Sequence, residues 1–315
     1  MSESLQAVIL LFMTNKLIVV AGGAGKLGRL IVDAVLSYPG TAVRLLVRDP
    51  KKPEVAALAS ERVELFALDA AAATAEGLAG SVRGAFAVVS ALQGGPDVIV
   101  DAQLALLRAA KAAGARRFIP SDYSYNFFSL PEGINVNSDW RRALAVLAQK
   151  EISDSFEVVH VLQGIFADIQ VLGFLGLLDA EKGVLRYWGD GKTPIDWTTW
   201  EDTARFIAAA ALDDEKVPER LFVRGDRKDI FEFAKTYQAV RGKALTLECL
   251  GSLQELEQET LRRLASSPQD MFAWLPLMYA RGVFGGQALL GATHNGRYPA
   301  IQAETVEQAI QRGAI

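Results

Sequence analysis

The sequence predicts an α/β fold, a Rossmann-type doubly wound parallel sheet followed by a smaller mixed α/β lobe. An apolar run over residues 17–21 leads directly into a glycine-rich turn and an amphipathic helix. Strand-like runs then alternate with helix-length segments up to residue 161, which is typical of βαβ crossovers. Beyond residue 163, apolar helices are interrupted by short strands. We therefore expect an N-terminal extension over 1–12, a dinucleotide-binding domain over 13–163 and a substrate lobe over 164–315, some of whose strands could return to the main sheet.

The elements of the two predicted parts follow from hydrophobic periodicity and length. In the first part the runs predict strands after the first one at 42–47, 63–68, 84–90, 117–120 and 156–161, with helices near 76–82, 97–113 and 138–150. In the second part they predict helices at 164–179, 201–213, 230–241, 252–266 and 269–285, with strands near 184–188, 194–199, 219–224 and 245–250.

The glycines at 22, 25 and 28 predict a phosphate-binding turn between the first strand and its helix. Gly22 permits the tight turn, Gly25 lets the backbone approach a pyrophosphate, and Gly28 lets the helix pack closely on the sheet. Lys26 and Leu27 complete the turn at the helix N-terminus, which faces the anion. The alternative is a glycine turn that binds nothing.

The end of the second strand predicts which cofactor binds. Arg48 lies there, twenty residues beyond Gly28, and an arginine at this place accommodates the 2′-phosphate of NADP. Lys51 and Lys52 add positive charge nearby. Asp49 leaves open an alternative, since its carboxylate could bind the ribose hydroxyl of NAD instead, and the whole segment could be a solvated loop.

Ligands of such sheets bind at the carboxyl ends of the strands, so the residues that follow each strand predict one crevice. These residues are Gly22, Arg48, Asp69, Ser90, Ala91, Leu92, Gln93, Pro120, Ser121, Asp122 and Tyr123.

Composition narrows the class of protein. Half of the 315 residues are hydrophobic and the net charge is −4, so no clustered basic face for nucleic acid is expected. Cys249 is the only cysteine, which favours a reducing cytoplasm, and His160 and His294 do not suggest a metal site. The apolar run over 5–13 is too short to span a membrane, which takes about 20 residues.

The chain resembles the NmrA-like branch of the atypical short-chain dehydrogenase/reductases, especially the isoflavone and phenylcoumaran benzylic ether reductases. The resemblance covers nearly the whole chain and implies NADPH bound across Gly22–Gly28 and Arg48, with substrate between the lobes. The motifs that carry it are the glycine turn over 22–28, Val47-Arg48, the passage 109–122 that ends in Pro120-Ser121-Asp122, Gly189-Asp190-Gly191, Glu201-Asp202-Thr203-Ala204, Tyr298-Pro299 and Thr305-Val306-Glu307.

One departure from the family concerns catalysis. The reductases use a lysine on the helix after the Pro-Ser-acidic motif, and this chain has no lysine between Lys111 and Lys150. Asn137 stands near the expected place. A Tyr-x-x-x-Lys pair of the ordinary short-chain dehydrogenase type is also absent from this region.

Two functions remain open. The first is an NADPH-dependent reductase of a small aromatic, quinone or enone substrate, with Ser121, Asp122, Tyr123 and Asn137 as candidate catalytic residues. The second is a sensor of the nicotinamide pool that acts through a protein partner. A packing role is the alternative for Tyr123, and a homodimer is left open.

Aromatic side chains favour the reductase because they could line an apolar pocket. The predicted substrate residues are Phe127, Trp140, Phe166 and Trp274, with Phe128, Trp188 and Phe272 also available. The alternative for each of them is packing in the core.

Overall fold

The computed structural model describes residues 16–315, so the predicted extension over 1–12 lies outside the described residues. The chain divides into two compact units. The first consists of the chain through Ser121 with Leu144–His160 and Ala204–Glu219, and the second of Asp122–Ala143, Val161–Thr203 and Arg220–Ile315. The predicted boundary after residue 163 lies close to the passage from the first unit to the second after His160. Each unit also takes segments from the other side of that boundary.

The first unit contains the predicted doubly wound sheet. Its six strands are parallel in the order β3-β2-β1-β4-β5-β6, the order of a Rossmann fold. The strands are β1 Lys16–Ala21, β2 Thr41–Val47, β3 Val63–Ala67, β4 Ala87–Ser90, β5 Arg117–Ile119 and β6 Glu157–Val158. Because β1 and β4 are central, their side chains are wholly buried over Ile18–Ala21 and Ala87–Ser90.

Helices link these strands as predicted, with the four-residue helix α2 as an addition that the sequence analysis did not predict. They are α1 Lys26–Leu36, α2 Pro53–Ala56, α3 Ala75–Ser81, α4 Gln103–Ala112 and α5 Val136–Ala148. The predicted helix over 97–113 differs in one respect, since its first part, Asp97–Ala102, is a π-helix. In a π-helix each turn carries an additional residue, which hydrophobic periodicity does not reveal.

The second unit is a mixed lobe, as the sequence predicts. It contains the sheets β14-β10-β9 and β13-β11-β8, and β7 pairs with β12. Its strands are β8 Ile165–Phe166, β9 Leu178–Asp179, β10 Val184–Tyr187, β11 Ile195–Thr198, β12 Arg220–Phe222, β13 Asp226–Lys228 and β14 Thr246–Cys249. The strand β7, His160–Leu162, begins with the last residue of the first unit and continues in the second. Its helices are α6 Ile169–Phe174, α8 Ile230–Arg241, α9 Leu253–Ser266, α10 Met271–Phe284 and α11 Val306–Arg312. The helix α7, Trp200–Leu212, begins in the second unit and continues in the first. The four residues of β14 are all exposed, Cys249 among them.

The predicted helix over 164–179 is wrong. The chain there forms β8, the short helix α6 and β9. Gly164 has a φ of +83°, and a Cβ on it would lie 2.2 Å from the carbonyl oxygen of Asp196, so the backbone turns sharply against β11. Asp168 then starts α6, because its carboxylate accepts hydrogen bonds from the backbone N–H groups of Gln170 and Val171.

A buried guanidinium holds distant segments of the first unit together. Arg117, on β5, has no exposed surface. It donates to the carbonyl oxygens of Ala210 at 2.6 Å, Asp213 at 2.5 Å and Glu215 at 2.9 Å, beyond or near the end of α7. Its Nη2 lies 3.1 Å from Oε2 of Glu157, on β6. This explains why Ala204–Glu219 belongs to the same unit as the parallel sheet.

Asp196 holds distant segments of the second unit together, as Arg117 does in the first unit. Asp196 is 4% exposed. Its carboxylate accepts hydrogen bonds from the guanidinium of Arg224 at 2.9 Å and from that of Arg227 at 2.7 Å. It also accepts from the backbone N–H of Leu290 at 2.8 Å. The ion pairs therefore connect β11 to the loop before β13 and to β13 itself, and the hydrogen bond from Leu290 connects it to the segment after α10.

We expect the Arg117→Met variant to lose about 3–5 kcal/mol in free energy of unfolding, because it removes the buried partner of the largely buried Glu157 carboxylate and the donor to three backbone carbonyl groups. Arg116→Met is the matched control, since Arg116 lies 3.8 Å from the same carboxylate but is 38% exposed, and an exposed pair contributes about 0–1 kcal/mol. Urea unfolding followed by circular dichroism measures both. Equal losses in the two variants would contradict the role given to Arg117.

Candidate functional site

The turn between β1 and α1 has room only for glycine at three positions. Gly22 has a φ of +78°, and a Cβ on it would lie 2.6 Å from the carbonyl oxygen of Ala91. A Cβ on Gly23 would lie 1.9 Å from Cδ1 of Leu45, a requirement that the sequence analysis missed. A Cβ on Gly28 would lie 2.4 Å from Cα of Gly23. This glycine therefore lets the helix pack closely on the turn itself, whereas the spacing predicts close packing on the sheet.

Gly25 differs from these three glycines. It is exposed, and the only atom within 4 Å of a Cβ built on it is the carbonyl oxygen of Gly22, at 3.5 Å. Gly25 is the N-cap of α1, has no side chain to cap it, and is followed by a first turn without acidic residues. Lys26 is exposed and Leu27 half-buried. The N-terminus of this 11-residue helix is thus open to an anion, which its backbone N–H groups and dipole favour.

Strand register brings the predicted cofactor residues of the first unit to one sheet edge. Ala21 pairs with both Leu46 and Ser90, and Val89 pairs with Ile119. The residues that follow these strands, among them Gly22, Arg48, Ala91 and Pro120, therefore lie along the same edge.

Hydrogen bonds fix the loops at this edge. The N–H of Ala91 donates to the carbonyl of Ala21 at 2.7 Å, and Oγ of Ser121 donates to the carbonyl of Leu92 at 2.6 Å. The Leu92 N–H lies 3.4 Å from Oγ of Ser90, while Gln93 is exposed. Asp69 is also exposed, two residues after β3, and its carboxylate accepts from the N–H of Ala71 at 3.2 Å.

Arg48 and Asp49 differ in how they are held. The Asp49 carboxylate accepts from the N–H of Lys51 at 3.0 Å and so closes its own loop. The Arg48 side chain is exposed, and no hydrogen bond or ion pair joins it to any residue in 16–315. Lys52 is exposed at the N-cap of α2. The loop thus presents positive charge beside the glycine turn.

Gln103 is a site-forming residue that the sequence analysis missed. It is wholly buried, its Nε2 donates to the carbonyl of Ile99 at 2.9 Å, and its Oε1 accepts from the N–H of Ser121 at 2.8 Å. It therefore anchors the end of β5 to the π-helix. A polar residue on the apolar face of a predicted helix is the feature that could have revealed it.

The remaining candidate catalytic residues belong to the second unit. Asp122 is fully buried, and Tyr123 is half-buried. Burial, together with the neighbouring Asp122 carboxylate, raises the pKa of Tyr123 well above its ordinary value. The neutral phenol of Tyr123 is therefore favoured over the phenolate to a higher pH than in an ordinary tyrosine.

Asn137, near the start of α5, lies in a polar network. Its Nδ2 donates to the hydroxyl of Tyr279 at 3.2 Å, and its backbone N–H donates to Oδ1 of Asn135 at 2.9 Å. Asn135 in turn donates to the hydroxyl of Tyr125 at 2.9 Å. Burial raises the pKa of Tyr125 above its ordinary value, although its hydrogen bonds with Ser138 and Asn135 act in the opposite sense. The sequence analysis names Asn137 as a candidate but neither Tyr125 nor Tyr279, since their positions in the sequence do not place them beside it.

The predicted substrate residues lie in different surroundings. Phe127 has no exposed surface and packs in the main core of the second unit, a placement that favours its packing alternative. Trp274 is 6% exposed in a smaller cluster with Leu275 and Met278. Trp140 and Phe166 are half-buried, and Phe166 stacks on Trp200 with 3.6 Å between ring centroids.

Phe272 and Trp188, two of the further aromatics, lie at opposite extremes. Phe272 is 80% exposed, whereas Trp188 packs in the main core of the second unit. The arrangement leaves the substrate assignments as predictions, with Phe272 the aromatic most open to contact from outside.

Two of the family-like motifs have structural roles. The Asp202 carboxylate accepts from Oγ1 of Thr199 at 2.9 Å and from the N–H of Glu304 at 2.7 Å, so it joins the start of α7 to the C-terminal segment. Thr305 caps α11 in a capping box with Gln308.

Two further features bear on the class of site. Among residues 16–315, no three or more His, Cys, Asp and Glu side chains are grouped so as to hold a metal ion. No helix in the same range has the length and apolar character needed to cross a membrane.

Comparison with known proteins identifies the family. The model of the NmrA-like family matches residues 14–259. Pinoresinol reductase 2 of Arabidopsis thaliana is 25% identical over 219 residues, covering 66% of this chain and 68% of that protein. Oxidoreductase swnN of Metarhizium robertsii is 24% identical over 279 residues, covering 77% and 81%. Leucoanthocyanidin reductase of Vitis vinifera, solved as a binary complex with NADPH, shares the fold with a TM-score of 0.77 at 17% identity, over 94% of this chain and 98% of that one. With its glycine turn and parallel sheet, this chain belongs to the NmrA-like family.

Proposed function

We propose that the protein is an NADPH-dependent reductase of a small aromatic, quinone or enone substrate. It is an NAD(P)H-dependent oxidoreductase, and its cofactor is NADP(H). The observation that carries the proposal is the open N-terminus of α1 beside the exposed Arg48, on the sheet edge that also holds Ser121. The names of a pinoresinol reductase and an NADPH-bound leucoanthocyanidin reductase among the similar proteins support it.

The residues of the first unit fit the cofactor. The turn over 22–28 leaves open space at Gly25, where the pyrophosphate would approach the backbone N–H groups of Lys26, Leu27 and Gly28. Arg48, with Lys52 nearby, would pair with the 2′-phosphate. Asp69, Ser90, Ala91, Leu92, Gln93, Pro120 and Ser121 would line the remainder of this edge.

When bound, the reduced nicotinamide supplies the hydride. Negative charge then develops on the substrate oxygen, and we assign its stabilisation to the hydroxyl of Tyr123, which follows β5 in the chain. Ser121 is less suited to donate, because its hydroxyl already donates to the carbonyl of Leu92. We assign Ser121 and Asp122 to positioning Tyr123, which follows them in the chain, and Asn137 to holding a substrate group in place of the family lysine.

Turnover of NADPH tests the proposal against the alternative of a sensor. A panel of quinones, enones and aromatic ketones, followed at the NADPH absorbance, should contain substrates that the purified protein reduces. A reductase needs no protein partner for this. No turnover across the panel, combined with a large difference in affinity between NADP⁺ and NADPH, would favour the sensor and contradict the proposal.

The Tyr123→Phe variant should lower kcat by at least about tenfold, because a positioned proton donor typically contributes about 10²–10⁴ in rate. Its affinity for NADPH should not change, since Tyr123 lies outside the cofactor residues. Asn137→Ala should lower kcat less severely. Steady-state kinetics and calorimetric NADPH binding measure these effects, and full activity in both variants would leave the proton to come from water.

Arg48 should determine the preference for NADPH over NADH. A charge-assisted contact with the 2′-phosphate contributes about 1.5–3 kcal/mol, or roughly a 10- to 150-fold preference. Arg48→Ala should remove most of it, whereas Arg83→Ala, an exposed arginine before β4, should leave the preference unchanged. Calorimetry with each cofactor measures the ratio, and equal affinities in the unchanged protein would contradict the assignment.

A further inference from the structure

The first unit contains a buried side-chain amide that joins a helix to the loop after β5. Gln103 has no exposed surface and lies at the junction of the π-helix Asp97–Ala102 with α4. Its Nε2 donates to the carbonyl of Ile99, and its Oε1 accepts from the backbone N–H of Ser121. Because both polar atoms of the buried amide are bonded, the amide fixes the positions of the groups that it joins.

The π-helix explains why an amide is needed at this position. In an α-helix the backbone N–H of Gln103 would donate to the carbonyl of Ile99, four residues earlier. In this structure that N–H is directed to the carbonyl oxygens of Val98 and Val100 instead. The side chain of Gln103 supplies the donor to Ile99, at 2.9 Å. The side chain that bonds to Ser121 therefore also compensates for the irregular hydrogen bonding of the π-helix.

Ser121 extends the connection to the loop after β4. Its N–H donates to Oε1 of Gln103 at 2.8 Å, and its hydroxyl donates to the carbonyl of Leu92 at 2.6 Å. Ser121 is 4% exposed, so water has little access to these bonds. Leu92 follows Ala91, whose carbonyl oxygen would lie 2.6 Å from a Cβ on Gly22. Hydrogen bonds thus connect the π-helix to the loops after β5 and β4, and the second of these loops lies against the glycine turn.

The strand order indicates which half of the cofactor these loops face. A Rossmann sheet binds a dinucleotide across the point where the strand order reverses, with one nucleotide on each side. In this sheet that point lies between β1 and β4. Arg48 follows β2, on the side where the 2′-phosphate of the adenosine half would pair with it. Leu92 and Ser121 follow β4 and β5, on the side that would receive the nicotinamide half.

We propose that Gln103 is a positioning residue for the nicotinamide half of NADP(H). Because it is fully buried, it touches neither cofactor nor substrate. It acts through Ser121 and Leu92, whose loops it holds at the sheet edge, and it has no bond to the loop that carries Arg48. The inference rests on the proposed function for the place where the cofactor binds, but not on the turnover of any substrate.

Removal of the amide should displace the loops that it joins. In Gln103→Met, an unbranched apolar side chain replaces the amide, so the N–H of Ser121 and the carbonyl of Ile99 lose their partners. A buried N–H or carbonyl without a partner costs more free energy than one hydrogen bond contributes on average. These groups regain partners only when the loop after β5 or the π-helix moves, which displaces the surface offered to the nicotinamide half.

Calorimetric titrations with NADPH and with adenosine 2′,5′-bisphosphate test the proposal. The bisphosphate lacks the nicotinamide nucleotide, so it reports on the adenosine half alone. On the full chain, Gln103→Met should weaken NADPH binding about 2- to 12-fold, the contribution of one hydrogen bond, and should leave binding of the bisphosphate unchanged. Gln103→Glu keeps an acceptor for the N–H of Ser121, and it should therefore lose less of the affinity for NADPH.

Thr41→Val is the matched control. Thr41, the first residue of β2, is 2% exposed, and its hydroxyl lies 2.8 Å from the carbonyl oxygens of both Val35 and Tyr38. It is thus a buried polar side chain bonded to backbone carbonyls at the opposite edge of the same sheet. Thr41→Val should lower the midpoint of urea unfolding, but it should change the affinity for neither ligand.

Three results would overturn the proposal. They are equal losses of NADPH and bisphosphate affinity in Gln103→Met, an unchanged NADPH affinity in that variant, and a selective loss of NADPH affinity in Thr41→Val. If circular dichroism shows that Gln103→Met does not fold, the same two titrations on Gln103→Glu decide. A selective loss of NADPH affinity in a protein that turns over no substrate would support the role of Gln103 and contradict only the reductase function, so the two failures are distinguishable.

Discussion

A charge removed from water must be surrounded by partners, and this constraint determines how each unit of the protein is held together. Arg117 has no exposed surface, and its partners come from β6 and from the chain at the end of α7, about 40 and 95 residues further on. Asp196 similarly collects two arginines and the N–H of Leu290. In both cases local propensity alone would not bring the segments together, because the polar groups that must meet are remote in sequence.

The motifs that carry the family resemblance divide into two kinds. The turn over 22–28 and Arg48 present open backbone and exposed charge, which are features of a ligand site. Arg117, Asp202 and Thr305 form hydrogen bonds with other groups of the chain itself and act in packing, ion pairing and helix capping. A motif match therefore identifies the family without identifying which of its residues touch a ligand.

The sequence predicts much of this architecture, because strands buried on both faces and amphipathic helices have strong periodic patterns. The helix Ile230–Arg241 is an example, with its capping box at Asp229 and its left-handed Gly242. The prediction of a helix over 164–179 is wrong because β8 pairs with β11, and this pairing overrides the helical preference of an apolar run of helix length. In the candidate site, the sequence predicts which residues follow the ends of the strands. It does not predict the contact between Asn137 and Tyr279, because these residues are 142 positions apart and no local pattern links them.

The exposed edge strand β14 carries a natural site for attaching a spectroscopic label. Cys249 is the only cysteine of the sequence, and it is exposed on that strand, where its sulfur lies 3.5 Å from the carbonyl oxygen of Gly189. A thiol-reactive fluorophore or spin label would therefore attach at one defined place, without prior replacement of other thiols. Such a label would report motion of the lobe that contains α10 in the unaltered polypeptide.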